Sequence, residues 1–358
     1  MRQLLSPVVM VLASIFVFTG CSGSGLDYLV PLGAGEVGVL TRSVPVDDVL
    51  AKPELDPEMQ KKLLLVGQVR QFAEQTLGLK VGQSYRFYYD TGEDPAMYNV
   101  SASPKDALAP LSWRFPIVGE IEYLGYFQRK LAEKKLEALR AQGYDVYLGR
   151  AIAYSTIGWL RDPIYSTMLD LDEDSLIETI IHELTHNTIY RRDSSKFNES
   201  VATFTGRQGA FEFLARTYGV DSNAYRHQQE RVDDQTVVDT FMGDLYDELQ
   251  AFYARTDLTS EQKIEQREQV FEAARTRFQD DILPKLSDPD KYGGLAKLPI
   301  NNAWILMYYR YHKDLDIFEQ VYQACDRNLA AAVVLFKQAV PKDDPYLYLR
   351  QWVTDHKQ

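Results

Sequence analysis

The chain has 358 residues, 45% hydrophobic and 25% charged, with a formal net charge of -12 and a sequence pI near 5.0. That length can bury a sizeable core, as one large domain or two modest ones. The acidic balance, with no basic stripe interleaved with aromatics, argues against nucleic acid as a partner.

At the N-terminus a lone cation, Arg2, precedes an apolar run from Leu4 to Phe18 and then Thr19-Gly20-Cys21. The run is short for a membrane span and fits a secretory signal over residues 1–20. Phe18-Thr19-Gly20-Cys21 resembles a bacterial lipobox, so Cys21 is the expected lipidation site, and acyl chains there would anchor the protein firmly to a membrane. Ser22 follows, not Asp, which implies the periplasmic face of an outer membrane in the bacterial cell envelope. The other cysteine, Cys325, then has no intrachain partner; it sits in an apolar helical pattern and reads as a buried, inert thiol.

Residues 21–56 carry no sustained period and read as a tether and N-terminal segment. A helix is expected from Asp56, with Pro57 in its first turn and Gly78 near its end. Short β-rich runs follow in "SYRFYYD", "MYNVSAS" and "FPIVGEIEYLGYF". Helical spacing from Gln128 stops at Gly143 and a strand-like run begins at Tyr144, giving a strand–helix–strand unit. "AIAYSTIGW" and "IYSTMLDL", separated by Leu160-Arg161-Asp162-Pro163, read as a hairpin. Ser175-Leu176-Ile177-Glu178 has a capping-box pattern just ahead of Ile180, Ile181 and Leu184, so the segment through His186 is expected to be helical. Beyond Phe197 helices dominate. One is expected over Glu199–Tyr218, an antiparallel pair over Asp221–Arg255 and Ser260–Leu283, and further helices over Ile300–Tyr311, Leu315–Ala332 and the C-terminal "PYLYLRQWV". The fold class is thus α+β: a core over 57–219 with a short mixed sheet and a histidine-bearing helix, then a mainly helical part over 220–358 that completes the domain.

The chemistry concentrates in "IHELTHNTIYRRDSSKFNES", residues 181–200. Positions four apart on an α-helix share a face, so His182 and His186 can aim both imidazoles at one ion. Glu183, turned about 100° from His182, falls beside that ion as a general base instead of a ligand. Catalytic zinc takes three protein ligands, and Glu199 is the best candidate for the third. The polar loop after Tyr190 would let a second helix return antiparallel, with Asn198 as its N-cap, Glu199 at its first position and small Ala202 allowing close approach. Thr203, one turn on, could support that ligand. His227, His312 and His356 are isolated in the sequence and read as structural or surface residues.

The segments "FPIVGEIEYLGYF", "AYSTIGWLRDP", "IHELTHNTIY", "FNESVATF" and "LPINNAWILMYYRYH" together resemble the bacterial putative aminopeptidase family of zinc lipoproteins, a branch of the gluzincin-type metallopeptidases. The resemblance implies His182, His186 and Glu199 as ligands of one zinc ion, Glu183 as general base, and a small gluzincin-like zinc peptidase core with an edge strand along the cleft. The expected function is hydrolysis of peptide bonds in peptide or protein substrates, with exo- and endopeptidase modes both open because no G-x-M-E-N segment is present. Extended substrate could pair with Ala153–Gly158 through Tyr154, Ser155 and Thr156. Oxyanion donors could come from Tyr154, Tyr308, Tyr311 or His312. The alternative is a non-enzymatic zinc-binding or scaffold lipoprotein acting in envelope assembly.

Overall fold

The computed structural model describes residues 26–115, 119–294, 300–312 and 315–356; the signal stretch and Cys21 lie outside them. It is a mixed α+β fold in which helix predominates and the sheets are small. No helix among the described residues is long and apolar enough to cross a membrane.

The segment read as a tether is structured from Leu26 onward. Helix α1 (Leu26–Arg42), strand β1 (Val44–Pro45) and helix α2 (Val46–Leu50) pack against the body. Tyr28 meets Phe115 and Tyr126, and the Tyr28 hydroxyl accepts from the Gly125 N–H at 3.2 Å. Sequence periodicity missed α1 because Gly33, Gly35, Gly38 and Pro31 interrupt it, whereas Gly35 lies so close to Phe127 that a side chain there would clash. Helix α3 (Pro57–Gln75) starts as expected, with the Asp56 carboxylate accepting from the Met59 N–H.

Three strands form the principal sheet, in the order β6 (Leu124–Tyr126), β3 (Met97–Ser103), β7 (Asp145–Ala151). Both outer strands run antiparallel to β3, so β6, helix α4 (Arg129–Ala141) and β7 make the expected strand–helix–strand unit with β3 threaded between its strands. Beside it, β4 (Trp113–Phe115) pairs with β5 (Gly119–Ile121). The hairpin over 151–171 does not form. Ala153–Ser155 is irregular, and β8 (Ile164–Tyr165) pairs in parallel with β2 (Phe87–Tyr89), which also pairs with β1. Asp162 is the cause: its carboxylate draws the intervening chain into a compact turn, as described below.

Helix α5 spans Glu173–His186 with Asp172 as N-cap, so Ser175 is inside the first turn and caps nothing. Leu176, Ile177, Ile180, Ile181 and Leu184 make one apolar face and are completely buried. Each contributes about 1.5–3 kcal/mol by leaving water. Helix α6 (Ser195–Tyr218) returns antiparallel, beginning four residues before the expected start. Asn198 is therefore not a cap. Its side-chain amide instead accepts from the Arg191 N–H and donates to the Arg191 carbonyl, closing the loop between the two helices.

The close approach of α5 and α6 depends on Gly206. A Cβ there would lie 2.8 Å from the Glu178 carbonyl oxygen and 3.1 Å from the His182 Cβ. Gly206→Ala is accordingly expected to destabilise the fold by about 1–3 kcal/mol, read as a lowered denaturant midpoint, and to weaken metal binding by prising the helices apart.

The C-terminal part is helical as expected. Helices α7 (Asn223–Tyr253) and α8 (Ser260–Arg277) form the long pair, with a Thr259–Gln262 capping box opening α8. Short α9 (Pro289–Tyr292) and α10 (Asn302–His312) follow. The single helix expected over 315–332 is two, α11 (Leu315–Ala324) and α12 (Leu329–Ala339). Asp326 and Arg327 adopt left-handed φ angles of 55° and 56°, and the Asn328 side chain caps α12. Cys325, at this break, is only partly buried, and its thiol pKa is raised by burial and by Asp326. Helix α13 (Pro345–His356) closes the chain. A buried ion pair ties these helices to the sheet: Arg267 grips Asp145 of β7 at 2.6 and 3.0 Å, and the Asn302 N–H donates to the same carboxylate.

Candidate metal centre

The last turn of α5 and the second turn of α6 face each other across the helix pair. His182 Nε2 lies 3.3 Å from His186 Nε2 and 3.3 Å from Glu199 Oε2, and His186 Nε2 lies 3.6 Å from that same oxygen. Glu199 stands at the fifth position of α6, not the first, because the longer helix carries it past the loop to the level of the imidazoles. Three donor atoms about 2.0–2.2 Å from one ion in tetrahedral directions would be separated by about 3.3–3.6 Å, so the spacing fits a zinc-sized ion. This is the one His/Cys/Asp/Glu group of that kind among the described residues.

The electrostatics follow from burial. Burial alone would raise the Glu199 carboxyl, but His186 and the contacts from both imidazoles hold it well below the usual carboxylate range. Burial opposes charging of His186, yet Glu199 and then Glu183 leave its pKa raised. Glu183, between the histidines in sequence, has a raised pKa, first from burial and further from Glu199, with both imidazoles opposing.

Two tyrosines complete the surroundings. Tyr311 of α10 stacks on His182, with ring centroids 6.4 Å apart and an interplanar angle of 30°. Tyr123 lies beneath the Arg310 guanidinium, 5.2 Å from its ring centre, and Arg310 in turn donates to Glu122 Oε2 at 2.9 Å. Burial, then the charge of Glu199, raises both phenols. Tyr311 is one of the donors expected from the sequence; Tyr123 is found only in the structure, since nothing local in "EIEYLG" marks it.

Other expected participants lie elsewhere. The Tyr308 hydroxyl donates to Asp239, and the Tyr154 hydroxyl donates to Glu36 of α1 at 2.6 Å. The His312 side chain falls outside the described residues. Thr203 is buried one turn beyond Glu199. Ser155 and Thr156 are not part of a strand edge: the Thr156 N–H and hydroxyl donate to Asp162 at 3.0 and 2.6 Å, and the Ser155 hydroxyl contacts Asn187 at 3.0 Å. Asn187 donates to Ser84, and the neighbouring Tyr85, buried with a φ of 64°, donates its N–H to the Asp162 carbonyl at 2.7 Å. Asp162 thereby organises the wall next to His186, a role invisible from the sequence because its partners lie up to 78 residues away.

Buried Asp162 has a pKa raised to about 7, chiefly by loss of solvation, with Thr156 opposing and Glu36 and Glu183 adding repulsion. Between the ordinary Asp value and about 7 the folded chain keeps a proton that the unfolded chain releases. Stability should therefore fall as pH rises through that window and level off above it. Asp162→Asn should lack this slope in urea titrations at pH 4.5, 6 and 8.

A family model described as "Putative aminopeptidase" matches residues 27–342 of the chain. No curated protein and no solved structure matches it.

Proposed function

The chain belongs to the putative aminopeptidase family across residues 27–342, and on that premise we propose that it is a zinc-dependent peptidase of the bacterial cell envelope. The observation that carries the zinc reading is the convergence of His182, His186 and Glu199 at tetrahedral spacing beside a buried carboxylate, Glu183. A gluzincin-type core is supported by the same pair of antiparallel helices, the first bearing both histidines and the second the acid.

Three side chains would hold the ion: His182, His186 and Glu199. When bound, it supplies Lewis acidity that polarises a carbonyl and lowers the pKa of water. Glu183 takes the proton from the attacking water and delivers it to the leaving amine nitrogen as the C–N bond breaks. Its raised pKa suits that exchange, because a carboxyl that keeps its proton more readily is the better acid store at neutral pH. Tyr311 and Tyr123 bring hydroxyl donors to the same buried space, where one is needed for the tetrahedral oxyanion. Arg310 fixes the Tyr123 ring through its cation–π contact and anchors itself on Glu122.

The Asp162-centred turn occupies the Thr156 N–H and hydroxyl, which weighs against pairing of extended peptide along Ala153–Gly158. The envelope location draws on the signal-like N-terminus and Cys21. The test is metal analysis joined to peptide cleavage: one zinc per chain, with cleavage lost on chelation and restored by zinc. Protein that binds no zinc at micromolar concentration would overturn the proposal.

A further inference from the structure

A cleft of about 470 Å³ opens between α6, α7, α10 and α11, and none of the three donors His182, His186 and Glu199 lines it. Its volume falls within the roughly 300–1,000 Å³ of small-molecule sites. Phe204, Val232, Met242 and Leu315 give it an apolar wall.

Arg207 of α6 singles the cleft out. Its side chain is only 14% exposed, and its Nε is buried with no hydrogen-bond partner among the described residues. Its Nη2 points toward Asp239, another residue of the cleft wall, but stops 3.9 Å from Oδ2, too long for a hydrogen bond. The acids in its field are held by other donors. Asp239 Oδ1 accepts from the Tyr308 hydroxyl at 2.6 Å and from Gln235 at 2.8 Å, and Glu178 is gripped by Arg231 and Gln228. A guanidinium carries five donors, and keeping one so deeply buried and so poorly bonded is costly unless something outside the chain engages it.

The charges of the wall define what that is. One cation faces three carboxylates: Arg207 adjoins Asp239 of α7, whereas Asp316 and Glu319 stand on α11, where Gln208 donates to Glu319 Oε2 at 3.4 Å. An anion alone would be repelled by the carboxylates, and a cation alone would leave Arg207 unsatisfied. A small molecule carrying both signs meets both requirements.

We propose that this cleft binds a free α-amino acid with an apolar side chain, its carboxylate on Arg207, its ammonium on Asp316 and Glu319, and its side chain against Phe204 and Leu315. The site neighbours the metal centre through shared helices, since α6 bears Glu199 and α10 bears Tyr311. It uses neither residue, so the inference holds whether or not the chain is a peptidase.

The test is isothermal titration calorimetry of the full, zinc-loaded chain with L-leucine, L-leucinamide and N-acetyl-L-leucine. One L-leucine per chain is expected, bound at least about tenfold more tightly than either analogue, because each analogue lacks one of the two charges that the wall pairs. Arg207→Met should weaken L-leucine by about tenfold or more. Gly243 also lines the cleft, and a Cβ there would meet nothing within 4 Å. Gly243→Leu therefore fills the cleft without touching a charge, and inside α7 it favours the helix, so binding should vanish with no drop in thermal midpoint. Glu199→Ala should bind L-leucine as the parent does. No heat from L-leucine up to about 10 mM, an analogue binding as well as L-leucine, or binding that survives Gly243→Leu would each overturn the proposal. Binding lost in Glu199→Ala but kept in Arg207→Met would place the amino acid on the metal, overturning the cleft assignment while leaving the peptidase reading intact.

Discussion

Glu183→Gln is expected to lower peptide cleavage by about 10²–10⁴-fold while leaving zinc stoichiometry unchanged. The amide keeps the volume of the carboxylate and the fit of α5 but cannot accept a proton from water at neutral pH. Glu183 stands outside the three-donor cluster of His182, His186 and Glu199, so the donor set is intact in the variant. Removing one negative charge near the ion weakens its electrostatic attraction but takes away none of the three donors, so zinc content should stay at one per chain when metal is saturating. Measurement of kcat together with zinc content separates the alternatives. Retained zinc with lost turnover supports a base; full activity in the variant would remove Glu183 from the mechanism, and a zinc-loaded parent chain that cleaves no peptide would favour a non-enzymatic role.

Glu199→Ala should act on the metal itself, weakening zinc by more than ~100-fold, since even residues that merely support ligands cost 10–100-fold. The substitution is well placed for interpretation. Glu199 lies inside α6, where alanine is the best helix former, so the helix should persist. The change also leaves the paired imidazoles without their charge partner, and the pKa of His186, held up by Glu199, should fall toward that of a buried neutral histidine. Competition titration with a chelating dye reads the affinity, and NMR titration of His186 reads the second effect. Wild-type affinity in the variant would sink the ligand assignment.

What could be read from the sequence was whatever depends on near neighbours. His182, Glu183 and His186 lie within a single turn-and-a-half, and the helical period fixes their relative directions whatever the rest of the chain does. Glu199 was legible for a related reason, as a short loop leaves the next helix little choice but to return. Its exact position was not, because the helix start is set by packing of Phe197 and by the Asn198–Arg191 hydrogen bonds, not by capping preference. Asp162 shows the opposite case. Alternating residues in "AIAYSTIGW" signal a strand, but a buried carboxylate with hydroxyl and N–H donors around it overrode that propensity. Tyr123, Arg310 and Gly206 matter only through contacts with distant elements, and no periodicity records those.

Arg191 connects the loop between α5 and α6 to the far end of the protein. Its guanidinium donates to the carbonyls of Val340, Lys342 and Asp343, after α12, while its own backbone is pinned by Asn198. A chain emerging vectorially from the ribosome has both imidazoles long before it has those carbonyls or Tyr311. A chain clipped just ahead of residue 340 would lose all three acceptors, so the loop joining α5 to α6 should loosen although no residue of the three-donor cluster is touched.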